Sequence, residues 1–330
     1  MLIKSIKLRN FLSFGETSEA VSLGPLNIII GSNGSGKSNF LEAMELLRNA
    51  PDQLLKRICE GGRVRDWLWK GNEETPTASL DIVVGNPEGP RDLRYILSFT
   101  ETSQRFDMLD ERVESEEPDQ GQDAPHLYYR LDRRVPSLDF EKSILAQRKD
   151  ADHDPEVTYL GNMFGKIRLY REWNFGRGTA PRVPQKADLP NDALEVDSSN
   201  LGLVLKRLHR KRTARERLLE ALRELYEGID DYNVQIEGGT VQIFFQEGNF
   251  VIPATRLSDG TLRYLCLLAV LCDPDPPPLV CIEEPELGLH PDVLPTLAEL
   301  MIEASERTQL IVTTHSDILV DAMTDQPEVV

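Results

Sequence analysis

A glycine-rich segment near the N-terminus constrains the fold of this chain more than any other feature. Residues 31–38 read G-S-N-G-S-G-K-S, which matches the pattern G-x-x-x-x-G-K-S. The apolar run Leu26–Ile30 precedes it and predicts a buried strand, and apolar residues at helical spacing follow it over 39–47. A glycine-rich turn between a strand and a helix suits the phosphates of a nucleoside triphosphate, because backbone N–H groups and the helix N-terminus face the anion.

Each residue type in this segment has a predicted task. The glycines let backbone N–H groups approach the phosphates, the Lys37 ammonium would reach the β- and γ-phosphates, and the Ser38 hydroxyl would be offered to Mg²⁺. The alternative is a turn that only joins a strand to a helix, but Gly-Lys-Ser at this offset seldom arises by packing alone. The predicted nucleotide-binding residues are Asn33, Gly34, Ser35, Gly36, Lys37 and Ser38.

Composition excludes several other classes of protein. The chain has 330 residues and a net charge of −18, and no apolar stretch approaches the roughly 20 residues of a membrane-spanning helix. The N-terminus alternates as a strand does and lacks the apolar core of a signal peptide. We therefore expect a cytoplasmic protein without membrane contact. The cysteines form no C-x-x-C pair, so we expect reduced, buried thiols and no zinc site; they are Cys59, Cys266, Cys272 and Cys281.

Charge is unevenly distributed along the chain. The acidic segment 110–119 predicts a solvated loop or a disordered tip. Against it stands a group of cations that we call the basic cluster, which could be a nucleic-acid contact or, equally well, the solvated face and turn of a helical hairpin. The basic cluster consists of Lys206, Arg207, Arg210, Lys211, Arg212, Arg215 and Arg217.

The order of predicted elements indicates an α/β protein. Alternating segments at 78–84 and 93–100 predict antiparallel strands, and residues 138–227 are mainly helical in pattern. Short apolar strands at 279–282 and 309–313, separated by a helix, predict a parallel sheet covered on both faces. We therefore expect three lobes: 1–137 with the phosphate loop and an antiparallel β subdomain, 138–230 as a helical insertion, and 231–330 as the C-terminal lobe.

Two carboxylates end the predicted strand at 279–282. In a phosphate-loop enzyme the first, Glu283, would hold the Mg²⁺ shell, and the second, Glu284, would polarise the attacking water as a general base. An acidic turn after a buried strand is the alternative, and the phosphate loop makes it the weaker one. His315 follows the predicted strand at 309–313, where its imidazole would meet the γ-phosphate.

A third segment, Ser258-Asp259-Gly260, precedes a predicted apolar helix. The serine hydroxyl and the backbone N–H groups near the glycine could meet an anion at the helix N-terminus, although the same letters also make a plain helix cap.

These motifs, in this order, resemble the ABC-type ATPase heads of the RecF/SMC/OLD branch, a P-loop NTPase fold. The opening segment R-N-F-L-S-F at 9–14 also resembles that branch. The resemblance implies that Ser258, Asp259 and Gly260 are the signature motif, that residues 286–290 are the D-loop, and that Glu284 and His315 are catalytic. It implies Mg²⁺ ligation by Ser38, Glu283 and a Q-loop glutamine, for which Gln147 is the best match and Gln104 the second.

Three positions depart from the family pattern. Glu283 stands where aspartate is commonest, Leu12 where many relatives have a basic residue, and His290 where the D-loop has aspartate. The longer carboxylate side chain of Glu283 could loosen the metal shell.

The resemblance implies an ATPase that binds ATP and Mg²⁺ and forms a head-to-head homodimer on ATP. It further implies a switch acting on DNA or a DNA-acting partner, in DNA repair or phage defence, beside a separately encoded nuclease or effector. A regulatory ATPase that gates a protein effector without touching nucleic acid is the main alternative, and the net charge favours it. A transporter subunit ranks third, and a small-molecule kinase would lack the signature segment and His315.

Overall fold

The structure is a computed structural model, and it describes residues 1–71, 75–87, 89–118, 121–132, 134 and 139–324. The chain divides into two compact units. The N-terminal unit comprises residues 1–24 and 32–167, and the C-terminal unit comprises residues 25–31 and 168–330. Within the described ranges, no helix has both the length and the apolar character needed to cross a membrane.

An antiparallel sheet forms the body of the N-terminal unit, with strands in the order β2-β1-β4-β5-β6-β7. Elements are numbered along the whole chain. The strands are β1 (Ile3–Arg9), β2 (Val21–Ser22), β4 (Ala78–Val84), β5 (Leu93–Thr102), β6 (Arg105–Pro118) and β7 (Pro125–Arg130). The helices are α1 (Lys37–Asn49), α2 (Leu54–Glu60), α3 (Val64–Trp67), α4 (Ile144–Gln147) and α5 (Pro155–Gly165). Alternate residues of β4 are buried, as the period of a half-buried strand requires.

The prediction of a loop for the acidic segment 110–119 is wrong. Residues 110–118 belong to β6, and position 119 lies outside the described residues. Arginines from this strand and its neighbours neutralise the acids across the sheet, so the run of charge does not prevent strand pairing. The ion pairs are Arg94–Glu114, Arg112–Asp110, Arg112–Glu114 and Arg130–Asp110.

A parallel sheet lies at the centre of the C-terminal unit, with strands in the order β3-β14-β13-β8. They are β3 (Leu26–Ile30), β8 (Arg168–Tyr170), β13 (Leu279–Glu283) and β14 (Gln309–Thr314). The helices of this unit include α8 (Asp259–Leu271), α9 (Leu294–Ser305) and α10 (Asp317–Thr324). All six residues of β14 are buried, which explains why the apolar run at its centre, residues 310–312, shows no alternation.

The remainder of the C-terminal unit is a helical pair and a small sheet. The helices are α6 (Leu201–His209) and α7 (Arg212–Leu225). The sheet contains β9 (Gln185–Lys186), β10 (Asp231–Glu237), β11 (Thr240–Glu247) and β12 (Phe250–Pro253). Gly238 and Gly239 form the turn of the hairpin between β10 and β11, and both have positive φ, 57° and 78°.

Two details differ from expectation. The compact units divide the chain elsewhere than the predicted three lobes, because α5, inside the expected helical insertion, packs against α1 in the N-terminal unit. The three-lobe division stays a prediction. All four cysteines are free thiols, but Cys59 is exposed, so the expectation of burial holds only for Cys266, Cys272 and Cys281.

Candidate functional site

The phosphate loop has the backbone that an anion site needs. Gly34 and Gly36 adopt φ of 80° and 102°, a region that strains any residue with a Cβ. Gly36 is the N-cap of α1, so no side chain caps the helix, and the first turn of α1 contains no acidic residue. The positive end of the helix is therefore not neutralised by its own sequence. Lys37 is only 9% exposed, and its Nζ donates to the Ser32 carbonyl at 3.2 Å.

A tight turn over residues 10–14 lies against this loop. Phe11 forms β-bridges to Phe14 and Leu68, which fix the turn. A Cβ added at Gly36 would lie 2.7 Å from Ser13 Oγ, closer than such contacts occur. The conformation of Gly36 therefore favours glycine, and any side chain there would also displace the Ser13 hydroxyl. Sequence reasoning identified the turn segment by resemblance but did not predict the contact.

The carboxyl ends of three parallel strands meet at one edge of the C-terminal unit. Glu283 ends β13, Thr314 ends β14, and Gly31 directly follows β3. At this edge the structure brings Glu284 and His315 together, with 3.2 Å between Glu284 Oε1 and His315 Nε2. A carboxylate paired with an imidazole at a strand end is able to exchange or orient protons.

Glu284 has an unusual backbone. Its φ is 47°, in the left-handed region that costs a non-glycine residue roughly 1–3 kcal/mol. Its N–H donates to the Thr313 carbonyl at 2.9 Å, and its own carbonyl accepts the N–H of Leu287 at 3.2 Å. The sequence predicts a stop here from Pro285, and the structure shows how the chain turns immediately before it.

Glu283 is held by an arginine that the sequence did not single out. Arg171 directly follows β8, the strand beside β13, and its Nε lies 2.8 Å from Glu283 Oε2. The Thr313 hydroxyl, in register with Glu283, is buried and has no hydrogen-bond partner among the described residues. A carboxylate beside an unsatisfied hydroxyl supplies hard oxygen atoms, the donor type that Mg²⁺ and its bound waters prefer. These residues therefore fit the expected cation.

Glu286 organises the segment that contains His315. Its Oε1 accepts the Thr314 hydroxyl at 2.7 Å and the His315 backbone N–H at 2.8 Å. Its Oε2 is buried without a partner among the residues described. The sequence placed Glu286 only at the start of the D-loop, because nothing in the pattern shows that its side chain reaches the next strand.

The predicted signature segment begins α8. Ser258 is exposed and is the N-cap, and its Oγ accepts the Thr261 N–H at 3.0 Å. The structure thus shows the helix-cap role, while contact with an anion stays a prediction. Asp259 forms an ion pair with Arg182, which also donates to the Leu257 carbonyl at 2.7 Å.

The side-chain amide of Gln147 forms hydrogen bonds within its own loop. Its Oε1 accepts the Asp139 N–H, and its Nε2 donates to the carbonyls of Asp139 and Lys142, all at 2.8 Å. The amide closes its own loop, and ligation of a metal ion would have to use the lone pair of Oε1 that the Asp139 N–H leaves free. The second choice, Gln104, has a φ of 65° in the turn between β5 and β6.

Most of the basic cluster is neutralised within the C-terminal unit. Five of its cations have carboxylate partners, which favours the helical-hairpin interpretation over a nucleic-acid contact. Lys206 and Arg210 have no carboxylate partner in the described part of the chain. The pairs are Arg207–Asp273, Lys211–Asp275, Arg212–Glu216, Arg215–Asp231 and Arg217–Glu303.

Comparison with known proteins identifies the family. A family model described as "AAA domain, putative AbiEii toxin, Type IV TA system" matches residues 26–321. The chain belongs to this family. Among solved structures, an Smc head bound to the C-terminal winged-helix domain of ScpA gives a TM-score of 0.60 at 17% identity, covering 98% of this chain and 92% of the other. An Smc head from Pyrococcus furiosus, bound to the C-terminal domain of ScpA, gives 0.62 at 16% identity with the same coverage.

Curated relatives match over shorter stretches. The chromosome partition protein Smc of Clostridium kluyveri is 33% identical over 73 residues, 22% of this chain and 6% of that protein. The replication and repair protein RecF of Nostoc sp. is 32% identical over 97 residues, 29% of this chain and 23% of RecF. The matches thus span less than a third of those relatives' own length. The predicted P-loop ABC-type fold and the resemblance to the RecF/SMC branch are confirmed.

Proposed function

We propose that this AAA-family protein binds and hydrolyses ATP, closes into a head-to-head dimer when ATP is bound, and acts as a switch on DNA or on a DNA-acting partner. Support comes from the relatives, which are named for chromosome partition and for DNA replication and repair. The observation on which the proposal depends most is the carboxyl edge of the parallel sheet. There Glu284 and His315 lie 3.2 Å apart, and His315 follows β14, the strand that pairs with β3, which leads into the phosphate loop.

Each residue has a proposed task in hydrolysis. The N–H groups of residues 33–38 and the Lys37 ammonium bind the triphosphate. Glu284 accepts a proton from the attacking water, and the His315 imidazole contacts the γ-phosphate. Ser38 and Glu283 would hold Mg²⁺, which when bound offsets phosphate charge.

Substitution of the loop lysine tests the nucleotide site. Lys37→Ala should abolish ATP binding, because the ammonium offsets phosphate charge that backbone N–H groups alone cannot. Isothermal titration measures this directly, with Lys56→Ala as a control for the loss of one exposed lysine, 62% accessible at its side chain. Unchanged affinity in Lys37→Ala would show that the loop does not bind the nucleotide as proposed.

A second function, gating of a protein effector without nucleic acid, is favoured by one observation. The cations of the basic cluster that would contact phosphates are mostly engaged with carboxylates.

DNA binding measured against salt separates the two functions. If DNA is the ligand, binding to a duplex in the presence of ATP should weaken steeply with salt, because each neutralised phosphate releases about one counterion. Lys206→Glu with Arg210→Glu should lower affinity equally for all sequences, since phosphate contacts specify no base. Lys56→Glu with Lys70→Glu gives the same change in net charge elsewhere. Absence of binding to duplex and single strands at low salt would favour the effector-gating function.

A further inference from the structure

Arg263 connects α8 to the carboxyl edge of the parallel sheet. It is the fifth residue of α8, one turn beyond the N-cap. Its Nη2 donates to the carbonyl oxygen of Glu284 at 2.6 Å, and its guanidinium lies over the Trp173 ring, 5.5 Å from the centroid. The hydrogen bond is charge-assisted, so it belongs to the stronger class of such bonds.

This contact falls on Glu284, whose backbone conformation is unusual for a residue other than glycine. The φ of Glu284 is 47°, and a residue in that region persists only when its surroundings hold it there. Arg263 supplies one such constraint on the carbonyl side, while the Thr313 carbonyl accepts the Glu284 N–H on the other. The carboxylate of Glu284 is attached to the backbone that these two contacts fix.

Arg263 also faces a second carboxylate of the site. Burial lowers the pKa of the Arg263 guanidinium, and the nearby carboxylates of Glu286 and Glu284 partly oppose this by favouring its charged form. Arg263 Nε and Glu286 Oε2 are each buried without a hydrogen-bond partner among the described residues. The Nε of Arg263 is therefore able to donate a further hydrogen bond, and Glu286, which accepts the His315 N–H, has an oxygen able to accept one.

The other end of the connection is the first turn of α8. A Cβ added at Gly260 would lie 2.6 Å from the Gly288 carbonyl, so this turn packs directly on the segment that follows Glu286. A helix is a rigid element. If the N-terminal turn of α8 shifts, Arg263, which lies one turn further along the helix, therefore shifts with it. The contacts of α8 thus reach both the D-loop segment and the backbone of Glu284.

We propose that Arg263 is a positioning residue that holds Glu284 in its left-handed conformation and so makes hydrolysis depend on the placement of the first turn of α8. The inference rests on the proposed ATPase function and adds the residue through which the signature segment controls the general base. A purely structural role would be filling space over Trp173, in which case the loss of Arg263 would lower stability without acting through Glu284.

The test compares Arg263→Gln and Arg263→Lys with Arg212→Gln, whose arginine is 89% exposed on α7. Folding is checked by thermal melting, ATP affinity by titration, and chemistry by single-turnover hydrolysis. Arg263→Gln should leave ATP affinity unchanged and slow hydrolysis by about 10-fold to 100-fold, since displacement of a catalytic group by about 1 Å has effects of that size. The hydrolysis rate of Arg263→Lys should lie between the rates of Arg263→Gln and the wild type, because an ammonium group retains the charge of the guanidinium but not its planar set of donors.

A double substitution separates positioning from structure. If Arg263 acts through Glu284, Arg263→Gln should cause no further loss in a Glu284→Gln background, because effects of residues that act as a unit do not add. The proposal would be overturned if Arg263→Gln lowered the hydrolysis rate by the same factor in the wild-type and Glu284→Gln backgrounds. It would also be overturned if folded Arg263→Gln hydrolysed ATP at the wild-type rate. Should Arg263→Gln fail to fold, wild-type hydrolysis in Arg263→Lys would overturn it. An inactive wild type would instead refute the ATPase function itself.

Discussion

At the residue scale, two adjacent glutamates have different surroundings, and these suit the different tasks that we propose for them. Glu283 is paired with Arg171, which keeps its carboxylate fixed beside an unsatisfied Thr313 hydroxyl. Glu284 is paired with His315 and sits on a strained peptide. The change of backbone direction at Glu284 allows neighbouring carboxylates, which would alternate sides in a continuing strand, to have separate partners.

Glu284→Gln should keep ATP binding and lower turnover by about 10²–10⁴-fold, the usual contribution of a general base. An amide cannot accept the proton of the attacking water, yet it preserves the shape of the side chain. Steady-state hydrolysis and ATP titration measure the two effects, with Glu306→Gln on the exposed surface as the matched control. Near-normal turnover in Glu284→Gln would remove this residue from the role.

At the element scale, β6 shows how an acidic sequence becomes part of a sheet. Glu111 is fully buried and accepts hydrogen bonds from the Tyr95 hydroxyl at 2.6 Å, the Ser143 hydroxyl, and the Ile144 N–H at 2.8 Å. It thereby joins β5 and β6 to the start of α4. Burial is the largest influence on this carboxyl group, and it raises the pKa of Glu111 from 4.5 to about 7 despite those hydrogen bonds.

This shift predicts a pH dependence of stability. Between pH 4.5 and about 7 the folded state binds more protons at Glu111 than the unfolded state, so stability falls as pH rises through that window. The shift of about 2.5 pH units corresponds to roughly 3 kcal/mol. Glu111→Gln has no charge to bury and should lack this fall, whereas Glu16→Gln on the surface should retain it. Urea unfolding at pH 5 and pH 8 makes the comparison, and parallel pH profiles for the wild type and Glu111→Gln would contradict it.

The local sequence pattern predicted the elements that have a clear hydrophobic period or clear turn residues at their ends. β3 and β4 have the predicted bounds, and α8 begins within two residues of its predicted start. β8 was missed because three residues are too few to show a period. β6 was missed because two of the arginines that pair with its acidic residues, Arg94 and Arg130, lie on neighbouring strands. The same limit applies to the site. Motifs singled out Glu284 and His315, which lie 3.2 Å apart in the structure, and their catalytic roles stay predictions. The contacts of Arg171, Arg263 and Glu286 are tertiary, and no spacing in the sequence reveals them.

At the scale of the whole molecule, a net charge of −18 shapes association. Two copies of this chain repel each other at long range, and salt screens that repulsion within about 10 Å at 0.1 M. An ATP-dependent dimer must overcome the repulsion with specific contacts. The exposed Ser258 and Asp259 at the start of α8 are the proposed source, because a helix N-terminus can meet a phosphate held by a second copy.

Ser258→Arg should therefore leave ATP binding by the monomer intact and block both dimer formation and hydrolysis, because a long cationic side chain fills the space that the second copy needs. Light scattering with ATP in a Glu284→Gln background measures the dimer, since slow hydrolysis retains the bound nucleotide. Ser22→Arg adds the same charge at an exposed serine of β2 and should leave the dimer unchanged. Raising salt should strengthen the unsubstituted dimer by screening the repulsion but should not restore it in Ser258→Arg, because the obstruction is steric. A dimer that forms without ATP and persists in Ser258→Arg would refute the head-to-head arrangement.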